Sequence, residues 1–358
     1  MLENFPYCPT LYARVAEIKA LAQLPAATKD RIFPLIIGRP WPNAKYLTRT
    51  WEKIHEALGN RRFALDLDET KRNSGGSRPA AAEFDSLFSS RSGFENYYQA
   101  VFDIAEAIPV LRISGGDAAQ FDSQAEHIER LDRGLVVRIE HGKVSNPLGL
   151  VDQVLGRFVD LSIFVDAGWS RDILSKEVWV SSIIERISRD HPEIEVVVSG
   201  SSFPDSFTGI GERGAIPVEE RHLFNNLVRR HNAATLIYGD WGSTRPPPPS
   251  ADQVPMRNVP RIDLPMSSQW ISFRRDRDLQ DDEDYTDIAQ RVVGDPDWPA
   301  DLNIWGTYTI GWTANGEPGA IRSPATAAAA RINIHLHRQA FFGANDTIVD
   351  GDEPFTDD

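Results

Sequence analysis

"EVVVSGSSFP" spans residues 195–204. Three valines run into Ser199-Gly200-Ser201-Ser202, and Phe203-Pro204 then stops the run. A short apolar run bounded by turn-forming residues reads as a strand buried on both faces, the kind found in parallel sheets. Its hydroxyl-rich end has three readings: a nucleophile elbow, a phosphate cradle or a plain turn. The elbow is excluded directly, because Gly-x-Ser-x-Gly needs a second glycine where this chain has Phe203 or Pro204. The P-loop lysine is missing too. The choice between anion cradle and turn depends on the sheet that holds the strand.

On both sides of this stretch, β-rich runs alternate with helical patterns. "YCPTLYA" (7–13) precedes a segment whose Val15, Ile18, Leu21 and Leu24 recur at helical spacing. "IFPLII" (32–37), "FALDLD" (63–68), "IPVLRIS" (108–114), "GLVVRIEHG" (134–142), "DLSIFVDAG" (160–168), "IEVVVSG" (194–200) and "ATLIYGD" (234–240) follow, with amphipathic segments between them. Strands alternating with helices imply right-handed crossovers and a parallel sheet. Eight such units predict an α/β fold of the (β/α)8 TIM-barrel type over residues 1–293. The eighth helix is then "DEDYTDIAQRVV" (282–293), reached through an insertion at about 241–281 that holds "RPPPPS" and a further strand candidate, "QWISFRR" (269–275). In a second register "QWISFRR" is a barrel strand and the first segment an N-terminal plug. Residues 294–358 read as a Trp-rich C-terminal appendage packed on the barrel, with "ARINIHLHRQAFF" alternating like a strand and "DGDEPFTDD" as an acidic tail.

A hydrophobic content of 41% in 358 residues supports a large core. The net charge of −14 disfavours nonspecific nucleic-acid binding, which draws on fields of Lys and Arg. Cys8 is the single cysteine, so no intrachain disulfide or cysteine-based zinc cluster forms. No apolar run approaches the ~18–20 residues that span a membrane, and the N-terminal residues lack a signal-peptide pattern. The expectation is a cytoplasmic chain without a membrane partner.

The segments "YCPTL" with Glu17, "IFPLI", "FALDLD", "LSIFVDAG", "VVVSGSSFP", "YGDWG", "WISFRR" and "NIWGTYTI" follow one another in an order that resembles the beta protein family of bacteria and their phages. The resemblance covers nearly the whole chain through short motifs. It implies an architecture and a phage or mobile-element setting, and no particular chemistry. The chain departs from the family pattern at Ile36-Ile37-Gly38-Arg39, where an acidic residue often follows Pro-Leu.

Side chains alternate along strands, and in a barrel one face meets helices while the other fills the interior. By that rule Asp66, Asp68, Arg112, Arg138, Glu140, Asp166, Ser199 and Ser201 point inward near the C-terminal ends of their strands, and Tyr238 and Asp240 lie inward or at the rim. Barrel interiors favour apolar layers, so these charges must pair or meet a ligand. One reading is an internal salt-bridge plug. The other is a mouth that binds an anionic, phosphorylated or nucleotide-like ligand, with Arg112, Arg138, Ser199, Ser201 and Asp240 as binding residues. On that reading Asp66, Glu140 and Asp166 supply acid–base or metal-ligating carboxylates, and hydrolysis is the candidate reaction. A divalent metal is the candidate cofactor: Asp66 with Asp68 suits magnesium, and His335 and His337, two apart on an expected strand, form a second candidate pair. Trp241, Trp270, Trp305 and Trp312 read mainly as packing. In the competing non-enzymatic reading the barrel is a scaffold, and the Trp-rich region contacts a protein partner.

Overall fold

A computed structural model describes residues 1–73, 78–113, 118–245, 259–275 and 284–344. Ser114, the prolines at 246–249 and the acidic tail lie outside the described residues.

The strands are β1 (Thr10–Tyr12), β2 (Leu35–Gly38), β3 (Phe63–Leu67), β4 (Ala107–Pro109), β5 (Leu135–Glu140), β6 (Leu161–Trp169), β7 (Glu195–Ser201), β8 (Arg213–Pro217), β9 (Thr235–Tyr238), β10 (Arg261–Pro265) and β11 (Gln269–Arg274). The helices are α1 (Val15–Ala22), α2 (Ala26–Lys29), α3 (Thr48–Leu58), α4 (Pro79–Ser86), α5 (Glu95–Asp103), α6 (Ala118–Leu131), α7 (Pro147–Arg157), α8 (Glu177–Asp190), α9 (Glu219–Arg230), α10 (Tyr285–Val293), α11 (Trp305–Ala314) and α12 (Pro324–Ala340). The fold is mixed α/β. Strands β1-β2-β3-β4 form one parallel sheet and β5-β6-β7-β9 a second, while β8, β11 and β10 form an antiparallel sheet. Isolated parallel bridges link the two parallel sheets at both edges, Tyr7 with Tyr238 and Val110 with Val136. The amides of Cys8 and Leu111 donate across these seams to Tyr238 O (2.9 Å) and Val136 O (2.8 Å).

Alternation sorts the apolar residues into two cores. Leu35, Ala64, Ile108, Val136, Phe164, Val197 and Ile237 meet in an interior cluster drawn from both parallel sheets. Their neighbours Ile36, Leu65, Val137, Ile163 and Val198 join the larger core under the helices. The opening stretch is therefore strand through Ser201, not a turn after Gly200. Gly200 is there for close packing: a Cβ at this position would sit 2.5 Å from Cδ1 of Ile173.

Several expectations need correction. "QWISFRR" is β11 in the antiparallel sheet, while β1 pairs directly with β2, so the register with an N-terminal plug fails. "ARINIHLHRQAFF" lies within α12, not a strand. Helix α1 packs on α3 and α12, whereas α10 packs on α11, β10 and β11.

Candidate functional site

The charged residues at the ends of β3, β5 and β6 and just beyond β4 come together through specific local devices. Pro109 offers no amide at the end of the β3–β4 pairing. There the Tyr97 hydroxyl of α5 steps in, donating to Leu65 O (2.6 Å) and accepting from Val110 N (2.8 Å). Two residues on, Gln124 of α6 accepts from Arg112 N and donates to Arg112 O, both at 2.9 Å, which fixes the backbone that carries the guanidinium. Asp166 is held differently: the β6 register shifts after it, and the Gly168 amide folds back to donate to Asp166 Oδ1 at 2.9 Å. Gly168 has φ +71, the left-handed region that glycine enters without penalty.

These side chains form one continuous chain of ion pairs. Arg112 Nη1 donates to Asp66 Oδ1 (2.5 Å), and Arg138 Nη1 donates to Asp66 Oδ2 (3.1 Å). Arg138 Nε and Nη2 donate to Asp166 Oδ2 at 3.0 and 2.7 Å, and Nη2 also lies 3.0 Å from Glu140. Glu140 pairs in turn with Lys143 (3.0 Å), which also lies 3.5 Å from Glu69. Burial alone would raise the Asp66 carboxyl, but Arg112 and Arg138 outweigh it and hold it below its ordinary value. At Glu140 burial prevails, with the Asp166 charge adding to it, and the carboxyl is pushed up against Arg138 and Lys143. Arg112 Nε is buried and finds no hydrogen-bond partner among the described residues.

Ser199 and Ser201 lie at this same end. Ser199 is in register with Asp166, and its hydroxyl lies 3.4 Å from that of Thr10, while Ser201 Oγ donates to Thr244 O at 2.5 Å. Asp68, just past β3, forms a second part, accepting from Thr70 N (3.0 Å) and pairing with Arg39 Nη1 at 3.4 Å. Between the two parts stands Tyr12, whose hydroxyl is pushed up by burial and by Asp68 and Glu140, against Arg138 and Arg14.

Asp240 does not join this group. Tyr238 belongs to the helix-facing core, and Asp240 is fully buried beyond it, accepting from Tyr7, Tyr238 (2.9 Å) and the Gly242 amide (2.8 Å) and bonded to His335 Nε2 of α12 (2.7 Å). The phase was misread because Leu236, Ile237 and Tyr238 are all apolar, which leaves alternation without a polar face to follow. The inward residues are Ile237 and Trp241. Trp241, expected as packing, donates from Nε1 to Asp166 Oδ1 (3.0 Å), and the Arg138 guanidinium lies 5.7 Å from its ring centroid. Sequence reasoning also missed Tyr12, Arg39 and Lys143; the inward phase of β1 and β2 would have flagged the first two.

The histidine pair is corrected as well. In a helix, residues two apart lie on different faces. His335 turns to Asp240, and His337 Nδ1 bonds the Thr28 hydroxyl at 2.7 Å. No group of three or more His, Cys, Asp or Glu among the described residues is arranged to hold a metal ion, and no helix among them is long and apolar enough to cross a membrane.

Parallel strands whose charged C-terminal ends converge on one ion-pair network define a mixed α/β chain. The chain belongs to the beta protein family, whose model matches residues 7–341. It is similar to Protein beta of Enterobacteria phage P4, 29% identical over 350 residues that cover 94% of this chain and 93% of that protein.

Proposed function

We infer that the two parallel sheets make up one closed (β/α)8 barrel and that its C-terminal mouth binds a small anionic ligand, phosphorylated or nucleotide-like. Bridges at both seams and one shared interior core support closure. The observation that carries the binding reading is the state of the cations. Arg112 keeps a buried Nε without a partner, and Lys143 is half exposed beside Glu140. An unmade buried donor costs ~1–3 kcal/mol, which an anion bound beside Arg112 would offset. Asp66 and Asp166 serve to aim the arginines. Glu140, whose carboxyl is raised by burial, is the group suited to acid–base work if the bound ligand is hydrolysed. A phage or mobile-element setting accords with the phage relative. Of the tryptophans in the partner-surface reading, Trp241, Trp270 and Trp305 are buried, while Trp312 is half-buried and stacks on Tyr308.

Titration of the full chain with inorganic phosphate, ribose 5-phosphate and adenosine monophosphate, followed by calorimetry, tests the site. Arg112→Gln leaves Asp66 paired with Arg138, so the fold is expected to survive while affinity falls about tenfold or more, as for loss of a charge-assisted bond. Equal binding by the variant, or no binding of any probe by the parent chain, would overturn this reading.

A further inference from the structure

Three carboxylates share Arg138, and they are not held alike. Asp66 also accepts from the Leu67 amide (2.7 Å) and from Arg112. Asp166 also accepts from the Gly168 amide and the Trp241 indole, and it is fully buried. Among the described residues the Glu140 carboxylate pairs with two cations, Arg138 Nη2 and Lys143 Nζ, each at 3.0 Å. It is the last residue of β5, and its side chain reaches solvent, with 16% exposed against 1% for Asp166. Of the three, Glu140 alone can leave without stranding a backbone donor.

We propose that Glu140 is a built-in stand-in for the ligand: its carboxylate fills an anion subsite made by Arg138 and Lys143, and an entering anionic oxygen takes over both cations as Glu140 turns away. This deepens the reading of the mouth as an anion site and rests on it. Only ion pairs are exchanged; no covalent bond is made or broken.

Charge balance gives the exchange a signature. Arg112, Arg138 and Lys143 are matched by Asp66, Asp166 and Glu140, so an arriving anion leaves the site with excess negative charge unless one carboxylate is neutralised. Glu140 faces Arg138 from its own strand, Asp166 from β6, Lys143 from the following turn and Tyr12 from β1, with Glu69 sharing Lys143. Burial has already moved Glu140 towards its neutral form. Anion uptake is therefore coupled to proton uptake by Glu140, and affinity rises as pH falls.

Sulfate is the probe, since its charge does not change across the range used. Calorimetric titration of the full parent chain at about pH 5.5 and about pH 8 should show tighter binding at the lower pH, approaching tenfold per unit where one proton is taken up. Glu140→Gln should bind sulfate about tenfold or more tightly than the parent at about pH 8, with a flat pH profile. Glu140→Ala should give the same gain, so the outcome does not hang on one variant. Binding by the parent that is insensitive to pH and unimproved in both variants would overturn the stand-in while leaving the anion site in place. Sulfate binding by none of the three proteins would overturn both.

Discussion

Arg138→Met tests the network at its hub. Methionine keeps much of the aliphatic length and removes the guanidinium. After the change Asp66 still has Arg112 at 2.5 Å, and Glu140 still has Lys143 at 3.0 Å. Asp166 is left with the Trp241 indole and the Gly168 amide, both neutral, in a fully buried position. One buried carboxylate without a counter-charge costs ~3–5 kcal/mol, a large share of the ~5–15 kcal/mol that holds a typical domain together. Asp166→Asn alone costs less, because Arg138 keeps Asp66 and Glu140. Introduced into Arg138→Met, it removes the stranded charge while its amide oxygen still accepts from Trp241 and Gly168, so the double variant should recover ~2–3 kcal/mol over Arg138→Met. Urea unfolding followed by tryptophan fluorescence measures all four proteins. A loss under ~1 kcal/mol for Arg138→Met, or losses that simply add in the double variant, would refute the assignment of Arg138 as the cation that compensates Asp166.

Two further outcomes are expected. Glu220 is pushed up to about 8 by burial, with the Asp240 charge adding to it, and an unfolded glutamate titrates near ~4.3. The folded chain therefore holds the extra proton, and stability falls as pH climbs from ~4.3 to about 8, by ~5 kcal/mol in all. Glu220→Gln should flatten that slope in urea midpoints taken across the range; parallel profiles for the two proteins would count against it. Gly200→Ala places a methyl against Ile173 Cδ1 and should cost ~1–3 kcal/mol, with a smaller loss when Ile173→Val has removed that atom. Equal losses in the two backgrounds would show that the contact with Ile173 is not what requires glycine.

The legibility of the sequence followed its polar residues. Where apolar and polar side chains alternate cleanly, as in "FALDLD" and "GLVVRIE", the two faces were assigned correctly, and the ion-pair chain follows from those assignments. Where the strand is apolar throughout, as in Leu236-Ile237-Tyr238, alternation carries no phase, and Tyr238 and Asp240 face the helices rather than the interior. Helix α12 failed for a related reason. It packs against α1, α11 and β10, so it has no solvent face to give a helical period. Its polar residues instead find partners one by one: Arg331 with Asp263, Asn333 with Gly306 N and Ala20 O, His335 with Asp240, and His337 with Thr28. Polar residues at every second position beside Ile332, Ile334 and Leu336 then imitate a strand. None of those partners is near α12 in sequence, so no local pattern could have shown the pairing.

Asp166 and Asp240 make the same point about function. Both are fully buried aspartates in the second parallel sheet, one near the end of β6 and one just past β9. Each accepts a backbone amide two residues on, from Gly168 and Gly242 respectively. A difference of one residue in strand phase separates their roles. Asp240 faces the helices and is enclosed by two tyrosines and His335; burial alone would raise its carboxyl, but His335 outweighs this and holds it below its ordinary value. That arrangement ties the segments that carry Tyr7 and Tyr238 to α12. Asp166 faces the interior, where its partner Arg138 reaches Glu140 and through it the half-exposed Lys143. The inner aspartate is thus joined through Arg138 to the half-exposed Lys143, while the outer one is joined to fully buried partners. If the proposed anion exchange takes place at the end of β5, loss of Asp240 should lower stability without changing the pH dependence of anion binding.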